Sequence, residues 1–467
     1  MYHWLDWFGF GVMMAILAVI GLRRSQKSEE YLLANRQVGL FALTATLVMT
    51  EFNTSTLLAF SSLGYRAGPM AIGLPLVFLI GLAWYTMTVA RSWKRFNRLS
   101  VAELFTERYG CALGRLASFL LVVAMLGFSA TYVKSLTLIF APWFGINAWA
   151  LSLLLTALVL LMTIMGGLKS VVRTDVISFI VTLIMLPSLL LLALGKYGGL
   201  SALQGIFPAD QLVFAPVAQW NHPALPFWFV TSLIVLTCFT YICSPWYGQK
   251  IFAARNERIA FTGVGLASLL IFLLYGCAVL AAAFFKIDHP VLADAQVALP
   301  EMMGAWLPVF WRGIGYAVLF MAAMTTLTGV WSAMVAMMKA DFFPAGLDNV
   351  QVQRLFTGLF AVMSWLGANL LVDNILNRLI LANIPIAALS FALLAGFHWK
   401  RASATGAWVS VIVGVVWGTG CFIHFGDAGG YTWYWAIYGI PFIFISGIVS
   451  SLLWPDAAWK QQPALSS

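Results

Sequence analysis

Apolar residues in this chain fall into long blocks separated by short polar segments. Runs of eighteen or more recur from end to end, and each is long enough to cross a bilayer as a helix. The blocks predict about 13 spans of about 20 residues each. They lie at 4–22, 39–62, 71–91, 113–140, 147–167, 174–195, 225–245, 260–286, 312–338, 355–373, 377–397, 404–424 and 434–454. The fold class is therefore an all-α polytopic membrane protein, a single transmembrane domain over 1–467. Two longer connectors, Gly198 to Ala224 and Asp288 to Trp311, contain aromatics and prolines and read either as lids over a mouth or as plain links. Leu99 to Gly110 reads as a short amphipathic helix on the cytoplasmic surface. Little chain follows the last span, so no attached soluble domain is expected.

Composition narrows the class. With 62% hydrophobic and 9% charged residues, too few polar side chains exist to cover a water-facing surface. The net charge of +9 would suit nucleic acid, but its distribution does not. Arg23, Arg24, Arg91, Lys94, Arg95, Arg98, Arg108, Lys169, Arg173, Lys250 and Arg255 fall in loops on one side of the spans. The other side carries Arg66, Lys196, Lys286, Arg312 and Arg378. This is the positive-inside pattern, with the N-terminus outside and the C-terminus inside. The expected partner is the lipid bilayer of the cell inner membrane, with no nucleic acid and no obligate protein. The first apolar run lacks a basic leader and is followed by Arg23 and Arg24, so it reads as an uncleaved helix. The five cysteines are scattered, with no metal-ligand spacing.

Candidate chemistry begins in "LVMTEFNTSTLLAF", Leu47 to Phe60. A carboxylate near a helix centre costs about 2.5–3.5 kcal/mol unless it faces water, a cation or a partner. Thr50, Asn53, Thr54, Ser55 and Thr56 around Glu51 leave almost no continuous lipid-facing stripe. Such a segment is tolerated where a helix unwinds and lines a cavity. A neutral Glu51 packed against another helix is the alternative. In "MAAMTTLTGVWSAM", Thr325, Thr328 and Ser332 share a helix face beside Thr326. Their hydroxyls suit a hard monovalent cation, although threonines in spanning helices also bond the carbonyl one turn back. Asp175 follows Gly166, Gly167, Lys169 and Arg173 and reads as a helix cap. "TCFTYICSPWYGQK" carries Pro245 with Thr237, Thr240 and Tyr241, a second interrupted span five helices after the first. A pair of interrupted spans in corresponding positions points to a transport site. Lys134 either snorkels to the interface or pairs a substrate carboxylate. No nucleophile–base constellation stands out, and no enzyme is expected.

Over nearly its whole length the chain resembles the sodium/solute symporter family. The resemblance rests on "YLLANRQVG", "MGGLKSVVRTDVISFI", "GQKIFAARNERIA", the Thr325/Thr326 helix ending in "KADFF", and "GFHWKR". It implies a bacterial-type member with a LeuT-type fold. The first inverted repeat of five helices would be 39–195 and the second 225–397. One extra helix would precede them at 4–22, and two would follow at 404–454. It also implies Na+ held by the backbone carbonyls of Met49, Phe52 and Ala322 and the hydroxyls of Thr325 and Thr326. Glu51 would lend negative potential to that cation site. Some relatives hold a second sodium with the equivalents of Asp175, Thr325, Thr328 and a hydroxyl residue where this chain has Gly329. One sodium is therefore expected, with Asp175 and Thr328 otherwise on its exit path. The substrate cavity would be lined by Thr54, Thr56, Thr237, Thr240 and Tyr241, with Lys134.

The function implied is sodium-coupled import of a small organic solute (a sugar, amino acid or carboxylate) by alternating access. A proton-coupled symporter using Glu51, or a non-transporting sensor or channel, are the alternatives.

Overall fold

The structure is a computed structural model. It describes residues 3–21, 36–98, 100–166, 168–208, 211, 221–222, 225–343, 350–427 and 429–456. The first half contains α1 (Trp4–Gly21), α2 (Leu40–Glu51), α3 (Thr54–Ala67), α4 (Gly73–Thr88), α5 (Ala90–Phe96), α6 (Glu103–Tyr109), α7 (Cys111–Phe144), α8 (Ala148–Gly166) and α9 (Leu168–Tyr197). The second half contains α10 (Phe227–Tyr241), α11 (Pro245–Ala253), α12 (Glu257–Asp288), α13 (Ala298–Trp306), α14 (Trp311–Met337), α15 (Val350–Leu370), α16 (Ile375–Leu381), α17 (Ile384–Ala388), α18 (Ser390–His398), α19 (Ala404–Phe425) and α20 (Ile440–Leu453). Among the described residues, seven helices are long and apolar enough to cross a membrane, or up to nine if two bent pairs each count as one span. The chain is a multi-pass, mostly helical membrane protein.

Burial separates the helices by role. The most apolar window of the helix starting at Trp311 is wholly buried, whereas that of α19 is 39% buried. A helix enclosed by other helices need not present an apolar surface to lipid. Thr325, Thr326, Thr328 and Ser332 are therefore tolerated in α14.

Among the described residues three spans are interrupted: the segment before α18 bends by 41°, and the two that frame the site break for different chemical reasons. Between α2 and α3 there is neither glycine nor proline. Asn53 breaks the helix by capping the next one, its side chain accepting from Thr56 N at 2.8 Å. Asn53 N turns back to Glu51 O at 2.7 Å. Between α10 and α11 the break comes from Pro245, with Ser244 held extended before it. The two halves bend by 50°. Trp93 Nε1 donates to the Ile242 carbonyl at 3.0 Å, pairing a backbone group at this break.

Small residues set the closest approaches. A Cβ on Gly64 of α3 would lie 2.4 Å from the Val279 carbonyl of α12. Gly64→Ala is expected to force these helices apart and destabilise the fold by about 1–3 kcal/mol. Gly11→Ala, where a Cβ meets no atom within 4 Å, is the neutral control. Thermal unfolding in detergent reads both.

Some local expectations change. α6 packs Leu104 and Phe105, both fully buried, against the bundle and leaves Glu107 exposed. Within Asp288–Trp311, α13 buries Leu299, Met302 and Met303 and is a packed element of the bundle. Most of 209–224 lies outside the described residues. Asp6 in α1 is buried and pairs with Arg312 at the start of α14, Oδ2 to guanidinium 3.1 Å. That acid in the first apolar run carried no signal of its partner, which lies 306 residues away.

Candidate ion and solute site

The break after α2 frees backbone carbonyls. The Met49 carbonyl would ordinarily accept from Asn53 N, and Phe52 from Thr56 N. Both amides donate elsewhere, to Glu51 O and Asn53 Oδ1. α14 lies against this turn. Thr326 Oγ1 is 3.5 Å from the Met49 carbonyl and 2.8 Å from that of Ala322. Thr325 Oγ1 is 3.4 Å from the same Ala322 carbonyl. The structure thus gathers Met49, Ala322, Thr325 and Thr326 into one knot of oxygen atoms, with the Phe52 carbonyl three residues on. The donor set is all oxygen, carbonyl and hydroxyl, which fits a hard monovalent cation.

Glu51 is 3% exposed. Tyr241 donates its hydroxyl to Glu51 Oε1. Tyr275 donates to the Glu51 carbonyl at 2.6 Å, and Asn53 Nδ2 to the same atom at 3.0 Å. The carboxylate is held by a tyrosine of the second broken span. Its partner is therefore a hydrogen-bond donor, and one edge of the group faces a cavity.

That cavity lies between the halves of the two broken spans and encloses about 90 Å³. Its polar wall is Glu51, Asn53, Thr56, Tyr132, Thr237, Thr240, Tyr241 and Asn383. Its apolar wall includes Phe60, Phe78, Phe128 and Trp246. Phe78 meets Tyr241 edge-on at 5.7 Å and Phe128 meets Trp246 edge-on at 5.2 Å, so the wall is an aromatic frame. A second cavity of about 480 Å³ carries Arg66, Asn374, Asn377 and Asp427, and Leu376 belongs to both walls.

Toward the basic end of the bundle sits a buried ion pair. Lys250 Nζ is 3.1 Å from Asp175 Oδ2, with the side chains 3% and 0% exposed. The ammonium also donates to the Thr46 carbonyl at 3.0 Å and to Thr50 Oγ1. Thr46 donates its hydroxyl to Asp175 Oδ2.

Thr56, Thr237, Thr240 and Tyr241 lie in the cavity wall as expected from the sequence. Thr54 does not. Its hydroxyl lies 2.7 Å from Ser135 Oγ of α7, where it packs one helix on another. Lys134 is half-buried and is not part of the wall, so it brings no cation to this cavity. Asp175 is not a cap: α9 begins at Leu168, two turns earlier, and Asp175 faces Lys250. Thr328 Oγ1 is paired with Thr163 Oγ1 at 2.7 Å. Tyr132, Trp246 and Asn383 were missed, because an aromatic or an amide in an apolar run carries no distinguishing pattern. The charge pattern places Lys250 in a loop; it lies in the last turn of α11, and the apolar "IFAA" after it is the signal available in the sequence.

The chain matches the sodium:solute symporter family over residues 31–414 of its 467. It belongs to that family. It is 27% identical over 407 residues to the sodium/pantothenate symporter of Escherichia coli (strain K12), covering 83% of each chain. It is 21% identical to the sodium/sialic acid symporter SiaT of Proteus mirabilis (strain HI4320), over 88% of this chain and 87% of that one. In three dimensions it superposes on a substrate-bound, outward-open Na+-coupled sialic acid symporter with a TM-score of 0.77. That match has 17% identity and covers 98% and 99% of the two chains. MhsT in complex with L-phenylalanine superposes with a TM-score of 0.59 at 14% identity, covering 89% and 98%. The symporter therefore has the LeuT-type fold. Sodium-coupled solute import is its activity, and sodium is its coupling ion.

Proposed function

We propose that this symporter holds one sodium ion at the break between α2 and α3. The carbonyls of Met49, Phe52 and Ala322 and the hydroxyls of Thr325 and Thr326 are its ligands. The observation that carries this reading is the pair of carbonyls released at Met49 and Phe52, with the α14 hydroxyls set against the first. Glu51 adds negative potential to the ion's surroundings. The 13-span arrangement, with inverted repeats over 39–195 and 225–397 and the basic face cytoplasmic, is part of the same reading. The protein then resides in the cell inner membrane, and the 480 Å³ cavity is its outer vestibule. Sodium entering from outside closes α2 and α3 against α14 and stabilises the solute-ready state. It drives transport through its different affinity for the outward and inward states. An inside-negative potential adds about 2.3 kcal/mol per charge per 100 mV.

The solute sits in the cavity beside Glu51. Among the residues lining it, the one carboxylic acid is Glu51, and no lysine or arginine is present. A carboxylate solute would face Glu51 without a counter-cation in the wall. The solute is therefore uncharged or cationic, with hydroxyl or amine groups for Thr56, Thr237, Thr240 and Asn383 and an apolar part for the aromatic frame. Neutral sugars satisfy this, and simple carboxylates do not. A thermal-shift screen of the purified protein in sodium, with myo-inositol, urea, choline and pantothenate, tests the charge rule. Stabilisation by an uncharged or cationic compound is expected. Stabilisation by pantothenate would contradict it.

A further inference from the structure

Lys250 is a buried cation that sodium-coupled import does not by itself require. Its ammonium is surrounded by a carboxylate oxygen of Asp175, the carbonyl of Thr46 and the hydroxyl of Thr50. These are the ligand types that a hard alkali cation takes. The other groups that could complete a sodium shell with Asp175 are engaged or missing. Thr328 is bonded to Thr163, Thr325 lies on the Ala322 carbonyl, and Gly329 has no side chain. Asp175 Oδ1 is buried without a hydrogen-bond partner, so the carboxylate keeps capacity for a cation.

We propose that the Lys250 ammonium is a tethered substitute for a second sodium ion. It supplies the counter-charge of Asp175 and fixes the number of bound sodium ions at one. The proposal rests on the reading that the single ion lies at the α2–α3 break. Geometry also couples the two cations. Thr46 and Thr50 flank Met49 on one turn of α2, so the same turn offers a carbonyl to sodium and two oxygens to the ammonium. Lys250 itself stands on α11, just past the second break. Through Thr46 and Thr50, Lys250 therefore ties α11 to α2, the basic-end halves of the two broken spans. A tethered charge cannot leave with the solute, so each cycle carries one sodium charge fewer than in a two-sodium carrier.

Equilibrium binding of ²²Na+ to the full-length protein in detergent, with potassium as the balancing cation, tests this. Wild type is expected to bind one sodium. Lys250→Met leaves Asp175 without its counter-cation and is expected to bind two. The second ion is lost again in Lys250→Met/Asp175→Asn. Asp175→Asn alone and Lys250→Arg each keep the count at one. Two ions in wild type, one ion in folded Lys250→Met, or loss of the ion in Asp175→Asn would each overturn the proposal. Where Lys250→Met does not fold, two ions in wild type or loss of the ion in Asp175→Asn still overturn it, and Lys250→Leu is read for the second ion. A wild type that binds no sodium overturns the α2–α3 site itself, and is distinguishable because it leaves nothing for Lys250 to replace.

Discussion

Thr326→Ala is expected to remove most of the sodium-dependent stabilisation of this symporter. The hydroxyl lies between the Met49 and Ala322 carbonyls, so its loss takes an oxygen from the ion and leaves the backbone of α14 intact. A hydrogen bond or ligand contact to a charged group contributes about 1.5–3 kcal/mol. That corresponds to sodium affinity lowered about ten- to hundredfold. Stabilisation follows RT ln(1 + [Na+]/Kd), about 2.7 kcal/mol when sodium is a hundred times Kd, and nearly nothing when it falls to Kd. Thermal unfolding in sodium against potassium, at matched ionic strength, reads the difference. Thr326→Ser restores the oxygen and the shift. Thr357→Ala is the control, because Thr357 makes the same bond to a carbonyl one turn back on α15, away from the ion. An unchanged sodium shift in Thr326→Ala would place the ion elsewhere.

The second large effect is expected at Asp175. Asp175→Ala leaves the Lys250 ammonium buried at 3% exposure with its carboxylate partner gone. Removing one partner of a buried ion pair costs about 3–5 kcal/mol, whereas removing both charges costs far less. Asp175→Ala in potassium is therefore expected to be strongly destabilised, and Asp175→Ala/Lys250→Met to lie closer to wild type. A double-mutant cycle read by thermal unfolding should return a coupling of about 2 kcal/mol or more, near the top of what neighbouring residues show. Additive single-variant effects would mean that the pair is not a functional unit of the fold.

The breaks in the fold were legible at the level of residue chemistry. The cluster "TEFNTST" could not face lipid, and Pro245 could not continue a helix. Both spans break there. The α14 hydroxyls were legible as a face, and the helix is indeed enclosed by protein. What failed was pairing between distant elements. Asp175 was read as a cap because the expected span began at 174, where the hydropathy rises. The helix begins at Leu168, so Asp175 lies two turns inside it. Lys250 was assigned to a loop because charge counting places lysines at span ends. Its partner is 75 residues away in sequence, beyond any periodicity. Thr54 and Thr56 are two residues apart on the same polar segment, and only Thr56 reaches the cavity. Thr54 turns to Ser135, and a helix position alone does not tell which neighbour lies against it.

The central claim is that sodium binds at the α2–α3 break against α14. The most direct test is a sodium concentration jump on proteoliposomes held on a solid-supported membrane, with no solute present. A saturable transient current is expected in wild type and in Asp175→Asn, and none is expected when potassium replaces sodium. Thr326→Ala is expected to shift the half-saturating sodium concentration upward by about ten- to hundredfold. An equal response in wild type and Thr326→Ala would contradict the account, as would a wild-type current elicited by protons and indifferent to sodium.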